Sequence, residues 1–226
     1  EENCCTAVQT VIGSTAAIIR GVGGPDAIPT VADPFARQAY TNRSTESDIK
    51  DKGISGEVNW ETNWLGGATL TSITSSRDWQ TINGLDFDYT GADILYRNAN
   101  EDESLTKFET FTQEFRLTGS TESIDWMVGM FYADEDLTRN DSYRVGAGYE
   151  PYLSTLILAN INPALAGSPT APLFLSQATG RPYGTGFVGL GALDRYEQNA
   201  KSLAFFTNNT WHATDALDVT LGLRYT

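Results

Sequence analysis

The ten residues LDVTLGLRYT, Leu217 to Thr226, alternate between apolar and polar positions without interruption. Because successive side chains of a β-strand point to opposite faces, an extended chain would carry all the apolar side chains on one face. Those apolar positions are Leu217, Val219, Leu221, Leu223 and Tyr225. We predict a strand whose Val219, Leu221 and Leu223 face lipid, while Thr220, Gly222 and Arg224 face a polar interior.

Working back along the chain, similar patterns predict five further strands. The six predicted strands lie near 53–61, 68–80, 108–119, 126–137, 201–212 and 217–226. Short turns close them into three hairpins, whereas long loops over 81–106 and 138–198 join one hairpin to the next, and residues 1–52 read as another loop. A compact globular domain seldom contains a loop of such length.

Short turns on one side and long loops on the other are typical of outer-membrane β-barrels. Tryptophans near the predicted short turns fit the aromatic girdle of such barrels, although ordinary sheet packing also uses aromatics. These are Trp60, Trp64, Trp126 and Trp211. We therefore expect an all-β fold: an antiparallel up-and-down transmembrane β-barrel, partial, with about six strands in an open sheet and long extracellular loops.

Composition agrees with this expectation. Hydrophobic residues make up 40% of the chain, and no stretch is apolar enough for a spanning helix of about 18 residues. The formal charge of -14 argues against nucleic-acid binding. Cys4 and Cys5 are adjacent, and the sequence leaves open whether they form a vicinal disulfide or bridge to cysteines elsewhere.

Four segments carry a more specific pattern: GATLTSITSSRDW (67–79), FETFTQEFRLTG (108–119), IDWMVGMFY (124–132) and SLAFFTNNTWHATDALDVTLGLRYT (202–226). Together they resemble the barrel of a TonB-dependent receptor. The resemblance implies an active transporter in the cell outer membrane of a Gram-negative bacterium. It implies import of an iron chelate, cobalamin or a glycan, and contact with outer-membrane lipid. Energy is implied to come from a TonB-type inner-membrane partner acting through a plug domain.

This chain has fewer recognisable strands than the family pattern. The receptors have about 22 strands around an N-terminal plug, whereas six strands and no plug-like segment are recognisable here. We therefore expect a fragment of the barrel region. Two rivals remain open, a passive porin-type barrel and a secreted β-sandwich module that binds carbohydrate.

No catalytic, cofactor-binding or metal-binding motif is recognisable, so we do not expect an enzyme. The single histidine, His212, is interpreted as a polar residue at a strand end. The acidic run Glu101 to Glu103 fits either a calcium site or a solvated loop.

Two groups of residues are candidates for function. The lumen-facing candidates are Glu114, Arg116, Asn208 and Arg224. Glu114 and Arg116 are expected to pair either with each other or with residues of the plug. The ligand-contact candidates are Tyr152, Leu156, Phe174 and Tyr183. Three of these lie in the unusually apolar segment 151–175, which is expected to form a short amphipathic helix over the barrel mouth. Its apolar side chains either pack within the loop itself or contact a ligand or partner.

Overall fold

A computed structural model describes residues 2–3, 14–30, 35 and 39–226. The protein is mostly antiparallel β-sheet, with 52% of residues in strands and 19% in helices, which confirms the expected all-β class. Cys4 and Cys5 lie outside the described residues, so their predicted alternatives stay open.

All six predicted strands are present. The strands are β1 (Glu2–Asn3), β2 (Glu46–Glu61), β3 (Thr69–Asn83), β4 (Leu85–Asp86), β5 (Leu95–Arg97), β6 (Leu105–Ser120), β7 (Ile124–Val145), β8 (Gly191–Thr214) and β9 (Leu217–Tyr225). The short turns fall where expected. At their other ends β2, β7 and β8 continue well beyond the predicted limits, because polar residues there still complete backbone ladders.

Helices fill much of the sequence that was expected to be loop. They are α1 (Ser14–Gly23), α2 (Glu101–Ser104), α3 (Tyr149–Ile161), α4 (Pro163–Ala166) and α5 (Phe174–Thr179), with a 3-10 turn at Ala171–Leu173. The helix expected in segment 151–175 is present as α3, but its apolar residues surround the helix and do not form one amphipathic face. Within the described ranges, no helix is both long enough and apolar enough to cross a membrane.

The strands form one open sheet in the order β1, β2, β3, β6, β7, β5, β4, while β8 pairs with β7 and β9 pairs with β8. In the described residues β9 has no other partner, and no ladder joins it to β2. The β8–β9 register runs from Phe205 opposite Tyr225 to His212 opposite Asp218, with a bulge near the turn. The expected open sheet is therefore confirmed.

The chain divides into two compact units. The strand unit comprises Lys50–Gln80, Thr106–Thr138 and Tyr196–Thr226, and the helical unit comprises Glu1–Ile49, Thr81–Leu105 and Arg139–Arg195. The helical unit has an apolar core of its own, formed by Ala16, Ile19, Ala27, Ile28, Ala92 and Ile94. In the strand unit, many large apolar side chains stay exposed.

Candidate functional site

One face of the strand unit is polar and cross-linked between strands. Residues directly opposite each other in an antiparallel pair share a face, so the register places Asn208, Thr210 and His212 with the even-numbered residues of β9. The hydroxyls of Thr210 and Thr220 are 2.9 Å apart. His212 lies between two carboxylates, with Nδ1 at 2.8 Å from Asp218 and Nε2 at 3.2 Å from Asp125.

The same kind of pairing continues on β2, β3 and β6. Arg77 donates two hydrogen bonds to Asp51, at 2.9 and 2.6 Å. Glu114 and Arg116 form an ion pair, which is one of the two arrangements expected for them. The guanidinium of Arg224 lies 5.6 Å from the ring centroid of Phe131, a cation–π distance. Glu114 and Arg116 lie two positions apart on β6, and Asn208 and Arg224 lie at even-numbered positions of β8 and β9. All four therefore belong to the polar face of the strand unit.

The opposite face of the strand unit is largely apolar next to the short turns and becomes charged farther from them. On β7 it carries Trp126, Val128, Met130 and Tyr132, followed by Asp134 and Asp136. On β8 the corresponding run is Trp211, Asn209, Thr207, Phe205 and Leu203, followed by Lys201. Lys201 Nζ lies 3.3 Å from Asp134, so the two strands change from apolar to charged at the same level.

The same change from charged to apolar side chains occurs along the neighbouring strands β3 and β6. Lys107 Nζ lies 2.9 Å from Glu109 and 3.8 Å from Asp78, and the apolar Phe111, Phe115 and Leu117 follow on the turn side. On β2, Ile54, Val58 and Trp60 follow Lys52 in the same way. Many apolar side chains of this face are strongly exposed: Ile54 of β2 is 77% exposed and Leu221 of β9 is 70% exposed.

Two groups of polar side chains interrupt the apolar face, and the sequence pattern did not reveal how they are accommodated. Thr207 donates to the carbonyl of Met127 at 2.7 Å, and Asn209 donates to Thr207 at 2.9 Å. On β3 and β6, Gln113 donates to Ser72 at 3.1 Å and accepts from Thr74 at 2.6 Å. These polar groups are therefore satisfied within the sheet, which lowers the cost of placing them in an apolar medium.

Buried carboxylates organise the helical unit. Glu103, only 7% exposed, accepts hydrogen bonds from Arg144 at 2.9 Å, Asn98 at 3.1 Å and Ser142 at 3.2 Å. Burial alone would raise the Glu103 pKa, but the bonds from Arg144 and Asn98 outweigh it and lower the pKa to about 2. Of the acidic run, only Glu101 and Asp102 are exposed as a solvated loop would be.

A second carboxylate, that of Asp93, connects three segments of the helical unit that are distant in sequence. Asp93 accepts two hydrogen bonds from Arg43, both at 2.7 Å, and one from the backbone of Ala147 at 3.1 Å. Burial opposes the charge of Asp93, but the bonds from Arg43 and Ala147 prevail and lower its pKa. The Arg43 guanidinium also lies 3.8 Å from the ring centroid of Tyr96. Such a network holds loop segments in one arrangement.

The ligand-contact candidates separate into two kinds. Tyr152 packs against the apolar core of the helical unit, and Leu156 and Phe174 are half-buried in α3 and α5. Tyr183 is 48% exposed and so remains accessible to a ligand. Of the two readings for segment 151–175, the contacts of α3 with α1, α4, α5 and the 3-10 turn favour packing within the unit.

In the part of the chain that the structure describes, no group of three or more histidine, cysteine or carboxylate side chains is placed to hold a metal ion. Comparison with known proteins gives no match to a protein-family model, a curated protein or a solved structure.

Proposed function

We propose that this chain is part of the β-barrel of a TonB-dependent receptor in the outer membrane of a Gram-negative bacterium. The apolar face of the strand unit contacts lipid, and the polar face, with Glu114, Arg116, Asn208 and Arg224, lines the barrel interior. The receptor imports a scarce ligand such as an iron chelate, cobalamin or a glycan. Energy comes from a TonB-type inner-membrane partner acting through a plug domain of the receptor.

The observation that carries this proposal is the difference between the two faces of one sheet. A transmembrane β-strand needs about 9–11 residues with an apolar outward face, bounded by polar groups at the interfaces. The outward face changes from apolar to charged between Tyr132 and Asp134 on β7, and between Leu203 and Lys201 on β8. Contact between Lys201 and Asp134 aligns the two boundaries.

The exposed apolar face also weighs against a secreted β-sandwich. In a sandwich, the inner apolar faces of two sheets pack against each other and are buried. Here Leu223 is 76% exposed and Val58 is 67% exposed. A passive porin would share the two-faced strands, so the preference for a receptor depends on the segments that resemble that family.

Cell fractionation of the native full-length gene product tests the membrane assignment. We expect the protein in the outer-membrane fraction, resistant to extraction with sodium carbonate. Recovery in the soluble fraction would contradict the proposal. For the receptor assignment, we expect the full-length product to bind the periplasmic domain of a TonB-type protein, and absence of binding would favour the porin.

A further inference from the structure

We infer that a recess in the helical unit is a binding site for a small, uncharged, apolar molecule. The recess has a volume of about 350 Å3 and lies where α1 faces α3, α4 and the 3-10 turn. Its walls include Ala17 and Gly21 of α1, Ala159 of α3, and Gly167 after α4. The inference depends on the helical unit alone and not on the proposed role of the strand unit.

The chemistry of the walls defines the class of ligand. Among the residues that the structure describes, no charged side chain lines the recess. Its two hydroxyl groups are already bonded: Thr155 donates to the carbonyl of Pro151 at 2.9 Å, and the hydroxyl of Ser168 lies 2.9 Å from that of Thr170. A charged or strongly polar ligand would lose its hydration without gaining partners, so an iron chelate or a glycan is disfavoured at this place.

Gly21 lies in the last turn of α1, on the solvent-exposed side of the recess, and is the position from which the space can be tested. Glycine lowers the stability of a helix relative to alanine, so a substitution to alanine at position 21 is not expected to unfold α1. Two positions later, a Cβ at Gly23 would lie 2.7 Å from the backbone of Ala92, which explains that glycine by packing. A Cβ at Gly21 would meet nothing within 4 Å. An added side chain at position 21 would therefore extend from the wall of the recess into open space.

The volume sets the size of the ligand. Small-molecule pockets begin at about 300 Å3, and an engineered apolar cavity of about 150 Å3 in another protein binds benzene. A recess of about 350 Å3 therefore fits a molecule of one or two aromatic rings, or an aliphatic molecule of similar bulk. Toluene is a suitable probe, because it is uncharged and detectable by its effect on nearby methyl groups.

The test is a toluene titration of the full chain labelled with 13C at the alanine methyl groups, followed by NMR. We expect saturable shifts of the Ala17 and Ala159 methyls, with little change at the exposed Ala178 of α5. Gly21→Leu, which places a bulky apolar side chain on the wall of the recess, should weaken binding by about tenfold or more. The matched variant Ala178→Leu adds the same side chain on an exposed helix surface and should bind toluene as the parent chain does.

Unchanged shifts of the core Ala27 and Ala92 methyls show that Gly21→Leu is folded. If they change, Gly21→Ala is the second variant, since it adds one methyl to the same space and improves the helix. Three results would overturn the inference. They are shifts that do not saturate, shifts of equal size at Ala178 and Ala159, or equal affinity in the chain with and without the added side chain at position 21.

Discussion

At the scale of single residues, neighbouring positions of β9 meet different surroundings. Thr220 contacts Thr210 across the strand pair, whereas Leu221 belongs to the apolar face and is 70% exposed. An arginine at the middle of a lipid face costs about 2–4 kcal/mol, and an interior position tolerates it. We therefore expect a polar environment at position 220 and an apolar one at position 221.

We predict that Leu221→Arg lowers the unfolding free energy of the full-length protein in lipid vesicles by about 2–4 kcal/mol, because the proposed lipid-facing position would put a charge into hydrocarbon. Thr220→Arg is the matched control and should change it by less than about 1 kcal/mol. Denaturant titration of both variants measures the difference. Equal losses in the two variants would mean that β9 has no lipid-facing side.

Glu103 predicts an acid sensitivity of the helical unit. Its pKa is about 2 in the folded protein and 4.5 without these contacts. A lowered pKa contributes stability that is complete above about pH 4.5 and disappears as the pH falls towards 2. Glu103→Gln should lose about 2 kcal/mol at pH 7 and be less sensitive to acid in this window. Urea unfolding at pH 7 and pH 3 measures both effects.

The exposed Glu101 supplies the control for that experiment, since Glu101→Gln should leave stability nearly unchanged at both pH values. The sequence identified these acidic residues but could not separate their roles. The buried Glu103 accepts a hydrogen bond from Arg144, which is distant in sequence. Alternation on β9 is a local pattern and was predictable, whereas a pairing between distant residues leaves no periodic signal.

At the scale of elements, the strands were predictable from the alternation of apolar and polar side chains. The strand ends that lie away from the short turns were not. β8 begins at Gly191, ahead of the predicted start near residue 201, because backbone pairing continues where the apolar alternation has stopped. Likewise α3 was predicted as a helix, but its burial depends on α1 and on the segments near residues 90 and 171. The sequence predicted an apolar segment without showing what it packs against.

The packing of α3 leads to a prediction about segment 151–175. Ser154 and Ala171 are fully buried, and Tyr152 packs on the core of the unit. Deleting residues 151–175 should therefore expose the core and remove hydrogen-exchange protection at Ile28 and Ala92. Tyr183→Ala, at a half-exposed side chain, should leave that protection intact. Full protection after the deletion would show that the segment is not structural.

At the scale of the whole molecule, the sheet has an unpaired edge at β9 in the described residues. Unpaired backbone groups cost several kcal/mol each in hydrocarbon, so a spanning sheet must close. We predict that the 226-residue chain alone inserts poorly into lipid vesicles, whereas the full-length gene product inserts. Protease protection of the two proteins in vesicles measures the difference, and equal insertion would contradict this prediction.

The central claim is that the odd-numbered side chains of β9 face lipid and the even-numbered ones face water. Single cysteines at positions 220, 221, 222 and 223 of the full-length protein, treated with a water-soluble maleimide in intact outer membranes, test it most directly. Labelling should be fast at 220 and 222 and slow at 221 and 223. Fast labelling at 221 and 223 with protection at 220 and 222 would contradict the account.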